Sequence, residues 1–195
     1  MIAQQILDVP EQYQQLQQQA ELIGFDMPSD MLIGSLLKTL IATKPQARVL
    51  ELGTGIGLSL SWMLAGLDGG SEIISIDNDP ELIRIAKENF KTNTKLKLFC
   101  EDAASWITKY KGPQFDLVFA DAWPGKYSEL DALLAHIKIG GLYVIDDMLP
   151  QSNWPTGHDK KATALVAELE QREDLVLTKM NWSTGIIVAT KIEVV

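Results

Sequence analysis

The sequence predicts an α/β fold: a doubly wound, mostly parallel seven-stranded sheet with an antiparallel last strand and helices on both faces. Three observations carry this reading. Short β-favouring apolar runs alternate with segments of helical periodicity, a pattern that calls for parallel strands joined by right-handed crossovers. One run, Arg48 to Leu52, breaks into Gly53-x-Gly55-x-Gly57. Such a turn lets a ligand lie against backbone amides where the next helix begins. The predicted strands also end, one after another, on Gly53, Asp77, Asp102, Asp121 and Asp146. Ligands in doubly wound sheets sit beyond the carboxyl ends of the strands, so these five positions imply one composite site.

The chain has 195 residues, enough for one domain with a sizeable core. Its 46% hydrophobic and 22% charged residues are ordinary for a soluble globular protein. Net charge is −9, from 26 acidic and 17 basic residues, so the average surface repels polyanions such as nucleic acid unless a local basic patch overrides it. The same acidity suits a cationic ligand. Met1 to Pro10 has neither a basic start nor an apolar core, and no long apolar span follows. The expectation is a cytoplasmic protein without membrane association. Cys100 stands alone, which rules out an internal disulfide and fits a reducing compartment. It is expected to be a small buried hydrophobe closing a strand.

Residues 1–27 form a Gln-rich N-terminal helical extension, with Gln4, Gln5, Gln12, Gln14, Gln15, Gln17, Gln18 and Gln19. Tyr13, Leu16, Ala20 and Ile23 recur at helical spacing, so an amphipathic helix from about Glu11 to Ile23 is expected to pack on the body or on a second subunit. Residues 28–195 make up the main domain. Ser29-Asp30 caps a helix over Met31 to Thr43, whose apolar residues cover most of its circumference and predict burial nearly all round. Gly34 and Ser35 leave one small, open spot on it.

Arg48 to Leu52 is too short for a helix and is bounded by Pro45 and Gly53, so it reads as the first strand. A helix from Leu58 to Leu67 stops at Asp68-Gly69-Gly70. Glu72 to Asp77 is the second strand, and Pro80 opens a helix reaching Phe90. Asp77 stands 24 residues after Gly53, close to the spacing at which nucleotide-binding units place a carboxylate on ribose hydroxyls. Its alternative role is a strand-end cap. Leu96 to Cys100 is the third strand, followed by Asp102 as N-cap of a helix over Ala103 to Lys109, in which Trp106 faces either the core, the preferred reading, or a bound ligand.

Phe115 to Ala120 is the fourth strand. A loop over Ala122 to Tyr127 leads into a helix ending near Ile137. Gly140-Gly141 turns the chain into a fifth strand, Leu142 to Ile145, which runs into Asp146-Asp147. After a loop over Met148 to Gly157, His158 opens a helix to Arg172, and Leu175 to Met180 with Gly185 to Thr190 closes the sheet as an antiparallel hairpin. Trp62 and Trp182 are expected to pack. Trp123, Tyr127 and Trp154 sit in loops near the expected site, where they either stack on a flat ligand or act as lids without selectivity.

The glycine spacing separates two kinds of nucleotide pocket. A dinucleotide fingerprint needs glycine at position 58, where Leu58 stands. Gly53-x-Gly55-x-Gly57 preceded by Glu51 instead resembles the first motif of class I S-adenosylmethionine-dependent methyltransferases. Taken with Asp77, Asp102, Phe115-Asp116-x-x-Phe119-x-Asp121-Ala122 and Gly140-Gly141-x-x-x-x-Asp146-Asp147, residues 30–190 resemble the catechol and caffeoyl-CoA type O-methyltransferases.

That resemblance implies a Rossmann-like methyltransferase domain, S-adenosyl-L-methionine as cofactor, a hydroxyl on a small and possibly aromatic acceptor, and a homodimer. It implies a cofactor pocket of Glu51, Gly53, Thr54, Gly55, Gly57, Ser59, Asp77, Asn78, Asp102, Ala103 and Asp121. Asp102 would accept a hydrogen bond from the adenine amino group, and the Gly34 segment would border the methionine end. It further implies a divalent metal held by Asp121, Asp146 and Asp147. Three close carboxylates repel unless a cation neutralises them, and all-oxygen ligands favour magnesium, manganese or calcium. Such an ion lowers the pKa of an acceptor hydroxyl.

Asp121, Lys126 and His158 are the expected catalytic residues. Two departures bear on them: Asp147 replaces the family's asparagine, and Pro124 stands where relatives place a general-base lysine three residues after the first metal ligand. Lys126, two positions on, either reaches the site from a reshaped loop or starts a helix in solvent. His158 is the alternative base if the Trp154-Pro155 loop folds over the pocket, and otherwise a surface histidine at a helix start. Two further readings remain: a metal-independent methyltransferase, including one acting on modified tRNA, and a cofactor-binding module without catalysis.

Overall fold

Apolar runs become strands, the central ones buried on both faces, which forces helices onto both sides of the sheet. The computed structural model describes residue 6 and residues 8–194; Gln4 and Gln5 lie outside the described residues, as does most of the segment before Asp8. The elements run α1 (Glu11–Ile23), α2 (Met31–Ala42), β1 (Arg48–Leu52), α3 (Leu58–Gly66), β2 (Glu72–Asp77), α4 (Pro80–Phe90) and β3 (Leu96–Cys100). They continue as α5 (Ala103–Lys109), β4 (Phe115–Ala120), α6 (Leu130–Ala135), β5 (Ile137–Ile145), α7 (His158–Glu170), β6 (Leu175–Met180) and β7 (Ile186–Lys191).

The seven strands lie in the order β3-β2-β1-β4-β5-β7-β6. β1 to β5 pair in parallel, and β7 runs antiparallel to both β5 and β6. The chain therefore winds outward on one side through β2 and β3, then returns to the other side of β1 to lay down β4. That reversal creates a crevice between β1 and β4. Register aligns what lines it. Leu52 pairs with both Ile76 and Ala120, and Ala120 pairs with Ile145, so Gly53, Asp77, Asp121 and Asp146 follow at one level across four strands.

Side-chain alternation divides the core in two. Val49, Ile73, Leu117 and Val144 face α1 to α4, whereas Leu50, Ile74, Val118 and Ile145 face α5 to α7. The glutamine-rich α1 belongs to the first layer: Tyr13, Leu16 and Ala20 are buried, and the Tyr13 ring meets Trp62 edge-on at 5.5 Å between centroids. Its glutamines occupy the remaining surface.

Four expectations are corrected. α2 is not buried all round: Ile33, Gly34, Leu37 and Ile41 form one buried face, while Met31, Thr39 and Ala42 are exposed. Its main packing partner is α3, and the face turned away from the core meets solvent. Gly34 is pressed against the Trp62 ring, where a Cβ would stand 2.4 Å from an indole carbon, so its smallness serves helix packing rather than an open spot. The fifth strand starts at Ile137, not Leu142, and α6 is correspondingly short; a bulge between the Phe115–Ile137 and Leu117–Leu142 pairs absorbs Gly140 and Gly141. Cys100 is exposed, because it ends β3, the edge strand of the sheet.

Candidate active site

The glycine turn is shaped by what it touches. Gly53 has φ +99°, and a Cβ there would lie 2.6 Å from the Asp121 carbonyl oxygen, so the ends of β1 and β4 approach each other only because this residue has no side chain. The Gly53 and Thr54 amides donate to the Ile76 carbonyl, and the Gly55 amide donates to the Asp77 carboxylate at 2.8 Å. The other Asp77 oxygen accepts the Asp79 amide, and Asp79 caps α4. Gly57 heads α3 and packs on the Phe90 ring.

Glu51 points to the same sheet face as Val49, beneath the turn and sealed from solvent. Its carboxylate accepts the Ser59 hydroxyl at 2.5 Å and the Ser75 hydroxyl, while Thr54 and Ser75 share a 2.6 Å contact. Burial pushes its pKa up to about 8, with the Asp121 and Asp77 charges acting the same way and the two serine hydroxyls opposing. Glu51 thus braces the turn from below.

Above it opens a cleft of about 950 Å³. Gly53, Thr54, Gly55, Ser59, Asp77, Asn78, Asp102, Ala103 and Asp121 line it, and so do Lys126, Asp146, Asp147 and His158. All five predicted strand ends meet there. Glu51 and Gly57 are outside its lining and support it from behind. Asp102 holds α5 by accepting the Ser105 amide at 2.8 Å, and Trp106 is buried in the core. His136 lies elsewhere, its ring bonded to the Ile107 carbonyl.

The acidic end is built around one lysine. Lys126 is only 6% exposed; its Nζ donates to the Asp146 carbonyl at 2.9 Å and lies 3.7 Å from Asp121 Oδ1. It therefore reaches the site from its loop and does not start a helix in solvent. The Asp146 carboxylate accepts the Asp147 amide at 2.8 Å and the Thr184 hydroxyl. Burial raises the pKa of Asp121, the neighbouring Asp146 and Asp147 charges add to this, and Lys126 opposes it. Burial also raises Asp146, against the Thr184 hydrogen bond.

Aromatic rings form the opposite wall. His158 lies 4.4 Å from Trp154 and 5.1 Å from Tyr127 between centroids, and Trp123 stacks edge-on against Tyr127 at 5.0 Å. His158 Nε2 shares a 3.1 Å hydrogen bond with the Tyr127 hydroxyl, and its Nδ1 is buried without a partner. Burial, reinforced by Lys126, lowers the His158 pKa from its ordinary value.

Three groups of lining residues escaped the sequence reading. Phe25 to Ser29 cross the cleft after α1, with Tyr13 donating to the Ser29 carbonyl and Ser29 to Asp121 at 3.4 Å. Thr184 arrives from the β6–β7 turn, and Gln151 to Asn153 from the loop after β5. Gly24 and Pro28 mark a turn in the first case; nothing local marks Thr184 as a site residue.

A glycine turn and an acidic edge at the switch point of a mostly parallel sheet place this chain in the doubly wound α/β class, whose ligands sit beyond the carboxyl ends of the strands. The particular family follows from comparison: the O-methyltransferase family profile matches residues 9–192, and the chain belongs to that family. A candidate O-methyltransferase of Mycobacterium marinum is 28% identical over 142 residues, covering 68% of this chain and 62% of its own. One from Mycobacterium ulcerans is 33% identical over 96 residues, 47% of this chain and 43% of its own. The chain thus matches less than two thirds of the length of these relatives.

Solved structures show the same fold. The O-methyltransferase from Bacillus cereus, in complex with SAH, superposes with a TM-score of 0.78 at 18% identity, covering 97% of this chain and 93% of its own. TomG from Streptomyces achromogenes, involved in tomaymycin synthesis and in complex with SAM, gives 0.79 at 19%, covering 97% and 92%. Among the described residues no helix is long and apolar enough to cross a membrane.

Proposed function

We propose that this chain is an S-adenosylmethionine-dependent O-methyltransferase acting on a hydroxyl of a small, flat aromatic acceptor. The observation that carries this reading is the sharing of one cleft by the glycine-turn amides, Asp77, Asp102, the Asp121 end and the aromatic wall. Family membership and structural neighbours solved with SAM or SAH support it. In this reading Asp77 takes the ribose hydroxyls, Asp102 the adenine amino group, and the acidic edge complements a sulfonium charge.

When bound, S-adenosylmethionine supplies an electrophilic methyl carbon: the acceptor oxygen bonds to it as the carbon–sulfur bond breaks, leaving that electron pair on sulfur. The acceptor's hydroxyl proton passes by way of the Tyr127 hydroxyl to His158 Nε2, in an imidazole whose pKa burial lowers. Trp123, Tyr127 and Trp154 hold the flat acceptor and orient its oxygen for in-line attack.

The donor set does not fit the divalent ion that resemblance implies. Among the described residues no three His, Cys, Asp or Glu side chains are grouped to hold a metal, and a lysine lies between the candidate ligands. The charge of −9 favours a small-molecule acceptor over nucleic acid, and the lone Cys100 accords with a cytoplasmic protein. Homodimerisation belongs to the same reading.

The test is calorimetry with S-adenosylhomocysteine, followed by turnover of labelled S-adenosylmethionine with a panel of catechols, other phenols and modified tRNA. Methyl ethers of phenols are expected. Absence of S-adenosylhomocysteine binding, with binding of reduced nicotinamide nucleotides, overturns the reading.

A further inference from the structure

We propose that the Lys126 ammonium permanently occupies the place in the acidic edge where resemblance puts a divalent cation, so that the site works without one. This deepens the methyltransferase reading and rests on it. Lys126 is the one buried cation among the described residues, and it is set against Asp121 and Asp146.

The lysine is delivered by a fixed loop and not by a swinging side chain. The Lys126 and Tyr127 amides both turn back to the Trp123 carbonyl, at 3.3 and 3.0 Å. Between them and Trp123, Gly125 adopts φ +88°, and a Cβ there would lie 2.7 Å from both Leu52 and Leu133. Tyr143, buried in β5, donates its hydroxyl to the Gly125 carbonyl. Pro124 at the family's lysine position and Gly125 beside it therefore let the chain tighten until residue 126 enters the site.

Asp121 and Asp146 are each engaged by neighbours in a way that suits an ammonium. Asp146 spends its Oδ1 on the Asp147 amide and the Thr184 hydroxyl, and offers Lys126 its backbone carbonyl. Asp121 divides its oxygens between Ser29 and Lys126. An ammonium has three N–H donors. One is used by the Asp146 carbonyl and a second faces Asp121, which leaves the third for an acceptor oxygen. A divalent ion entering this edge would meet a like charge held in place by the fold.

Mn²⁺ is the probe, titrated by electron paramagnetic resonance and calorimetry onto the full chain saturated with S-adenosylhomocysteine. The wild type is expected to show no binding tighter than about 1 mM, and Lys126→Met to bind Mn²⁺ at least ~10-fold more tightly. One Mn²⁺ per wild-type chain below about 100 µM, lost in Asp121→Asn, overturns the proposal, as does equal affinity in wild type and Lys126→Met. Near-ultraviolet circular dichroism checks that the variant folds; if it does not, the wild-type titration alone decides. S-adenosylhomocysteine binding is read in the same cell, so a chain that binds both it and Mn²⁺ loses this inference and keeps the methyltransferase reading.

Discussion

The Asp77 carboxylate accepts the Gly55 backbone amide at 2.8 Å, tying the end of β2 to the middle of the glycine turn. One side chain thereby both shapes the loop and presents charge at the cleft where a ribose is proposed to bind. Asp77→Ala removes both. Hydrogen bonds involving a charged group contribute about 1.5–3 kcal/mol, so S-adenosylhomocysteine affinity is expected to fall roughly 10- to 100-fold by calorimetry. Affinity within twofold of wild type refutes the assignment.

Glu51 makes stability depend on pH. Its folded pKa, about 8, lies above the ordinary 4.5, because burial, Asp121 and Asp77 disfavour the charged form more than Ser59 and Ser75 favour it. A raised folded pKa contributes stability that is fully present below the unfolded value and lost as pH rises through the folded one. Urea unfolding between pH 4.5 and 8 is therefore expected to show the wild type losing a few kcal/mol relative to Glu51→Gln. A constant difference between the two proteins across that window contradicts the burial argument.

Gly53→Ala tests the approach of β1 to β4. The new Cβ would fall 2.6 Å from the Asp121 carbonyl at φ +99°, and two backbones, unlike a flexible side chain, yield little. A loss of about 2–4 kcal/mol, or roughly 5–15 °C in Tm, is expected in thermal unfolding. An unchanged Tm shows that the strands separate freely.

Trp62 separates packing from hydrogen bonding in the core. It is fully buried against Tyr13 and Gly34, yet its Nε1 has no partner. Trp62→Ala is expected to cost about 3–5 kcal/mol in urea unfolding. Trp62→Phe keeps an aromatic ring and forfeits no hydrogen bond, so its cost should be less than half as large. Equal costs disprove that explanation.

Much of this molecule is legible in residue order because strand termini and turn glycines are local features. The alternation of apolar runs, Asp30, Asp79 and Asp102 at helix starts, and the row from Gly53 to Asp146 all follow from neighbours within a few positions. The failures are non-local. Cys100 is exposed because β3 happens to be the sheet edge, and Gly34 is small because Trp62, 28 residues away, needs the room.

The sequence by itself determined the doubly wound class, the glycine turn and the acids that gather at one edge, since periodicity and spacing encode them directly. Only the tertiary structure decided that Lys126 is buried among those acids, that Glu51 lies beneath the turn, and that Thr184 and the Phe25–Ser29 segment close the site. Those placements depend on backbone contacts between distant segments, such as Gly125 against Leu52 and Tyr143, whose energies no spacing rule contains.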